Sequence, residues 1–141
     1  MSILSAVKAF IATYPNLASG APLTSDMAGA SPTWYSISPV SGNPVIETDI
    51  LGNKRKQFPF AFRSMEYTAD ELERLDNIAF FETFADWLDT QSEAGTLPTL
   101  PSGKTADAIE AVDWGYLYEY GQSETGVYQI NCRLLYWQDA P

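Results

Sequence analysis

The sequence predicts an α+β fold in which a mostly antiparallel sheet of about five or six strands carries an N-terminal helix and a long central helix. Three patterns point there. Apolar residues at helical spacing open the chain and return over residues 68–93. Alternation of period two marks residues 58–62 and 114–136. Clusters of glycine, proline and asparagine separate these runs. The length agrees: 141 residues, 45% apolar and 18% charged, suit a single domain spanning residues 1–141. A chain of this size buries about 68–70% of its unfolded surface, enough for one core without metal or disulfide.

Ile3, Leu4, Val7, Phe10, Ile11 and Tyr14 fall on one helical face, with Ser2 placed to cap the start and Pro15-Asn16 to stop it. Leu17 to Pro32 is rich in Ala, Ser, Gly and Pro without periodicity and reads as a long surface loop. Strands are expected at Trp34–Val40 and Val45–Leu51, with Gly42-Asn43-Pro44 turning between them. Gly52-Asn53 is the next turn and leads to a basic hairpin tip, Lys54-Arg55-Lys56. Phe58, Phe60 and Phe62 then alternate along a strand that buries three rings on one side. Pro59 has no N–H for a ladder, so this strand is either an edge at that point or bulged.

Thr68 with Glu71 three positions on has the capping-box pattern, opening a helix that runs to about Glu93. Its apolar stripe changes phase. Leu72, Leu75 and Ala79 share one side, whereas Phe80, Phe84, Trp87 and Leu88 lie well round from it. Either the helix breaks near Asp76-Asn77 or one apolar patch meets a partner subunit. After a connector from Gly95 to Gly103, three strands close the chain. The first is Ala106–Val112, the second carries Trp114, Tyr116, Tyr118 and Tyr120 on one face, and the third buries Tyr128, Ile130, Cys132, Leu134 and Tyr136. Gly121–Gly126 joins the last two as a hairpin loop.

Composition removes several function classes. With no histidine, mechanisms that need an imidazole base, nucleophile partner or metal ligand fall. A lone Cys132 forms no intrachain disulfide and no thiol pair for zinc or redox work, which fits a reducing compartment. Walker, Gly-x-Ser-x-Gly and Rossmann glycine patterns are missing from the sequence. Eight basic against eighteen acidic residues give a net charge of −10, the opposite of what holds duplex DNA. The N-terminal residues lack the features of a secretory signal and no run approaches the length of a membrane span, so a cytosolic product without membrane association is expected.

Charge is polarised along the chain: residues 1–68 carry five basic and four acidic side chains, residues 69–141 three basic and fourteen acidic, +1 against −11. The basic run Lys54, Arg55, Lys56 and the acidic residues Glu71, Glu82, Asp86, Asp89 and Glu93 on the long helix are the two patches of one sign, with Glu82, Asp86 and Asp89 the face that a DNA mimic would use. They suit head-to-tail self-association, or else they are a solvated turn and a solvated helix face. The tyrosine row with Trp114 reads as core or subunit interface, against a stacking platform for bases or sugars. Trp137, on the opposite side of its strand from Tyr136, either covers the second side of the sheet or anchors a partner. Carboxylate catalysis has candidates in Asp107/Glu110 and Glu110/Asp113, but spacing by three on a strand sends each pair to opposite faces. No catalytic, metal or cofactor-binding residue is assigned.

Three segments carry a resemblance: Gln57 to Tyr67, QFPFAFRSMEY; Phe81 to Leu88, FETFADWL; and Tyr128 to Gln138, YQINCRLLYWQ. With the first helix and its Tyr14-Pro15 stop, they resemble a family of small tailed-phage and prophage proteins often labelled minor capsid protein, similar in layout to siphophage tail terminators. The resemblance implies a tail-terminator-like fold and a virion protein of the tail or neck, assembled in the host cytoplasm. It further implies a homo-oligomeric ring of six copies that caps the tail tube and gives the head-completion or connector protein a surface to dock on, without catalysis or cofactor. DNA passes through such a ring without specific binding, and an acidic lining repels phosphate. A neck, connector or tail-tube role is a neighbouring expectation. The rivals from other classes are an acidic DNA mimic that inhibits a DNA-binding protein and, behind it, a histidine-free carboxylate hydrolase.

Overall fold

The computed structural model describes residues 2–26, 32–121 and 124–141. In chain order the elements are α1 (Ile3–Ile11), β1 (Leu23–Ser25), β2 (Trp34–Pro39), β3 (Val45–Thr48), β4 (Lys54–Tyr67), α2 (Glu71–Ala94), β5 (Lys104–Ala111), β6 (Tyr116–Tyr120) and β7 (Thr125–Gln138). The fold is α+β, with two helices on a mostly antiparallel sheet that has seven strands among the described residues.

Two long strands form the axis. β4 and β7 pair antiparallel along their whole length, from Lys54 opposite Gln138 to Tyr67 opposite Thr125. Each is flanked by two short strands placed end to end. β2 and β3 take opposite halves of β4, and β6 and β5 take opposite halves of β7. β1 adds to β2 in parallel, a strand within the segment that reads as loop in the sequence. Residues 27–31, also in that segment, and 122–123 of the Gly121–Gly126 loop lie outside the described residues.

Period two decides what each strand buries. Phe60 and Phe62 of β4, and Tyr128, Ile130, Cys132, Leu134 and Tyr136 of β7, face the helices and are buried. Val7, Phe10 and Ile11 of α1, Tyr14 just beyond it, and Phe81, Phe84, Ala85 and Leu88 of α2 close the core from above. Phe84 sits at its centre, 4.7 Å from Phe62 and 5.2 Å edge-on from Tyr14 between ring centroids. Edge-to-face contact of this kind adds about 0.5–1.5 kcal/mol beyond the area buried. The other side of the sheet carries no helix among the described residues.

The expectation of an edge at Pro59 holds locally: β4 is interior in the strand order, but β2 has ended at Pro39, opposite Phe60, and β3 does not begin until Val45, opposite Lys56. The Pro59 carbonyl accepts from the Val40 N–H in that gap, where no ladder needs a proline donor. Several other expectations need correcting. α2 starts two residues later than the Thr68 pattern implies: Asp70 caps it by accepting from the Glu73 N–H, while the Thr68 N–H is given to the Glu124 carbonyl. It then runs unbroken to Ala94 and stops at Gly95, whose φ of 74° is the left-handed cap. No break occurs near Asp76-Asn77, so the stripe that changes phase is left uncovered: Leu72, Leu75 and Ala79 are exposed. The row Trp114, Tyr116, Tyr118, Tyr120 is not core; all four are exposed, and Leu117 is the β6 residue that packs on the core.

Candidate functional site

The basic run does not form the hairpin tip. Asp49 makes the turn one step earlier, its carboxylate accepting from the backbone N–H groups of Leu51 and Asn53, both at 2.9 Å, and from Asn53 Nδ2 at 3.1 Å. Slight desolvation raises the Asp49 carboxyl, but these bonds outweigh it and hold the group below its ordinary value. The turn pulls Ile50 and Leu51 out of the strand expected there, and they stand 99% and 76% exposed at the tip.

Lys54, Arg55 and Lys56 open β4, where alternation splits them. Arg55 lies on the helix-free side, and its Nε and Nη2 donate to Asp107 Oδ2 at 3.2 and 2.7 Å, with Glu47 4.0 Å away. Trp137 is directly opposite Arg55 on β7 and half-buried. Lys54 and Lys56 point the other way, and neither has a carboxylate within 4.0 Å among the described residues. The expected single patch is therefore one bound arginine and two free lysines.

Glu82, Asp86 and Asp89 are exposed on α2, as the helical phase predicts. With Glu71, Glu73, Asp76 and Glu93 they give this helix seven carboxylates against one cation, Arg74, and no ion pair among the described residues touches them. Arg74 instead donates to the Thr68 carbonyl at 2.7 Å. At about 100° per residue Leu72, Leu75, Ala79 and Asp86 share the outward side, apolar in its first half and acidic in its second. Asp86 and Asp89 also border a shallow pocket of about 250 Å³ against Asp113 and Trp114.

The helix-free face holds a polar lattice that sequence reading missed. Arg63 donates to Gln129 and to Ser38, and its guanidinium lies 5.0 Å from the centroid of Tyr118. Gln129 Nε2 donates to the Tyr116 hydroxyl at 2.8 Å, and Asn131 Nδ2 donates to the same hydroxyl and to Asp113. Arg133 Nε donates to Glu110 at 2.6 Å. The pairing of Arg55 with Asp107 and of Arg133 with Glu110 brings both carboxylates to this face, against the expectation of opposite faces. The reason is a bulge: pairing jumps from Ala106 to Ala108, so Asp107 is the extra residue. The β6–β7 register also shifts, between Leu117 and Glu119, and Tyr118 lies over Arg63 on the same face as Tyr116.

Each candidate catalytic carboxylate is thus held by its own partner: Asp107 by Arg55, Glu110 by Arg133, and Asp113 by Asn131 and the Gly115 N–H. Among the described residues no three carboxylates or thiols converge as a metal site, and no helix is long and apolar enough to cross a membrane. Cys132 is buried, and burial first, then the charge of Asp113, pushes its thiol well above the ordinary value. What the exposed groups offer is contact surface of two signs, each next to uncovered apolar residues. Neither a protein-family model nor a curated protein matches the sequence.

Proposed function

We propose that this chain is a tail terminator, or a closely related tail-completion protein, of a tailed phage: a subunit that closes into a ring, caps the tail tube and presents another face to the head connector. The observation that carries the ring is the separation of unpaired surfaces. α2 offers carboxylates without an ion pair and exposed leucines, and the β3–β4 hairpin two lysines without an ion pair and two exposed apolar residues, among the described residues. Unlike surfaces on one subunit make a heterologous contact, which closes into a ring when the rotation allows. The tail assignment within that class rests on the resemblance of residues 57–67, 81–88 and 128–138. Acidic surface next to a DNA channel limits trapping of the passing duplex.

Imaging particles from a phage deprived of this product tests the reading. Overlong tails indicate a terminator, full heads beside separate tails of normal length a joining role, and normal virions overturn both. The exposed Glu82, Asp86 and Asp89 also favour a second reading, a mimic of DNA phosphates that occupies a DNA-binding protein. Competition with duplex for such a protein, falling steeply with salt, selects that reading instead.

A further inference from the structure

We propose that copies of this chain join with the β3–β4 turn of one seated on the outward face of α2 of the next, an inference that rests on the ring-forming reading above and names its interface. Four large apolar side chains define the two halves. Ile50 and Leu51 project from a narrow turn, and Leu72 and Leu75 stand 73% and 58% exposed on the first half of a helix whose buried residues, Phe81, Phe84, Ala85 and Leu88, lie from its middle onward. Ala79 continues the helix stripe with a side chain too small to block a seated turn.

Charge sets the register of the two halves. Lys54 and Lys56 lie on one side of β4, about 7 Å apart at the rise of a strand. Glu82 and Asp86 lie one turn apart on α2, about 6 Å at the rise of a helix. On α2 the step from Leu75 to Glu82 is about 10 Å, and on the hairpin the three residues from Leu51 to Lys54 span at most about that distance. With Leu51 on the leucine stripe, the two lysines therefore reach the two carboxylates. All four charges lack an ion-pair partner within the subunit among the described residues. A second copy is the occupant that supplies both the apolar tip and the correctly spaced cations. A phosphate surface is repelled by the same carboxylates.

The contact is head to tail, so complementation tests it. One variant carries Ile50→Ser and Leu51→Ser, the other Leu72→Glu and Leu75→Glu, both at exposed positions, with circular dichroism to show that the fold is kept. Mass photometry of wild type is expected to show multimers, and each variant alone to associate on the order of tenfold more weakly or worse. An equimolar mixture of the two variants is expected to give dimers and nothing larger, because each retains one working surface. As a second arm, Lys54→Glu with Lys56→Glu loses assembly and recovers it when Glu82→Lys and Asp86→Lys are added. If wild type assembles and both apolar variants assemble undiminished, or if the mixture yields no dimer, this interface is wrong while ring formation stands. Wild type that stays monomeric at every concentration removes the ring reading and this interface together.

Discussion

Arg55 reaches from β4 across β7 to Asp107, 2.7 Å from Nη2 to Oδ2, and Asp107 is the residue at which β5 bulges. The bulge and the ion pair depend on each other: without the extra residue, the carboxylate would not join the guanidinium on the helix-free side. Both side chains are partly solvated, at 29% and 38%, so the pair is expected to stabilise the fold by no more than about 1 kcal/mol. Asp107→Ala should lower the unfolding free energy by up to that amount, read as a lower urea midpoint with the slope unchanged. Reversal of Lys54 and Lys56, which form no ion pair among the described residues, should leave the unfolding free energy within about 0.5 kcal/mol. Equal losses from the two variants would show that the basic run acts as one patch after all.

Glu66 gives the fold a pH dependence of a particular sign. Thr33 Oγ1 donates to its Oε1 at 2.9 Å and the Ser64 hydroxyl donates to Oε2. Burial nevertheless dominates these bonds and raises the carboxyl above its ordinary value of 4.5. The native state therefore holds the proton more tightly than the unfolded chain. The stability this gives is complete below 4.5 and is lost as pH rises through the native titration. Glu66→Gln removes the charge and keeps an acceptor for Ser64. Its Tm should exceed that of wild type at neutral pH, and the gap should close as the pH falls below the glutamate range. A gap independent of pH would mean that Glu66 titrates normally.

How much of this was legible depends on whether the signal is local. Phe60 and Phe62, and the even residues from Tyr128 to Tyr136, declare the buried side of the sheet because period two meets a single covered face. The phase change in α2 is equally legible, and the continuous helix resolves it into the exposed Leu72 and Leu75. Bulges have no such signature. One extra residue at Asp107 moves a side chain to the other face, which is why the carboxylate pair is misplaced by alternation alone; Tyr116 and Tyr118 do share one face, but it is the face that no described helix covers. Two capping patterns overlap at the start of α2, Thr68 with Glu71 and Asp70 with Glu73. The choice falls to a long-range bond, Thr68 N–H to the Glu124 carbonyl. β1 pairs parallel over three residues and has no period to read. At the candidate site, Glu82, Asp86 and Asp89 follow from helical phase. Ile50 and Leu51 read as strand because the Asp49 side-chain turn that ejects them looks like any other aspartate.

Cys132 reports on opening of the core. It is 1% exposed between the central strands and the helices, and its thiol is pushed well above the ordinary value, first by burial and then by Asp113. Only the thiolate attacks a disulfide reagent, so labelling of the folded protein should proceed at the rate of unfolding excursions, and in urea at the rate of a free thiol. Fast labelling of the native protein would show a route to Cys132 through the helix layer.

Gly115 ties the turn before β6 to the core helix. Its φ of 88° is left-handed, and a Cβ there would lie 2.7 Å from Phe81 Cβ, closer than any packed pair, with Phe81 itself fully buried. Alanine must therefore bear both the backbone strain and the displacement of a core aromatic. Together these are expected to cost about 2–4 kcal/mol. Gly20, with a φ of 76° and nothing within 4 Å of its Cβ, isolates the first contribution. Gly20→Ala should cost about 1 kcal/mol, the low end of the range for such strain. Comparing urea midpoints of the two variants separates the contributions. If they match, the contact between the β5–β6 turn and Phe81 is slack.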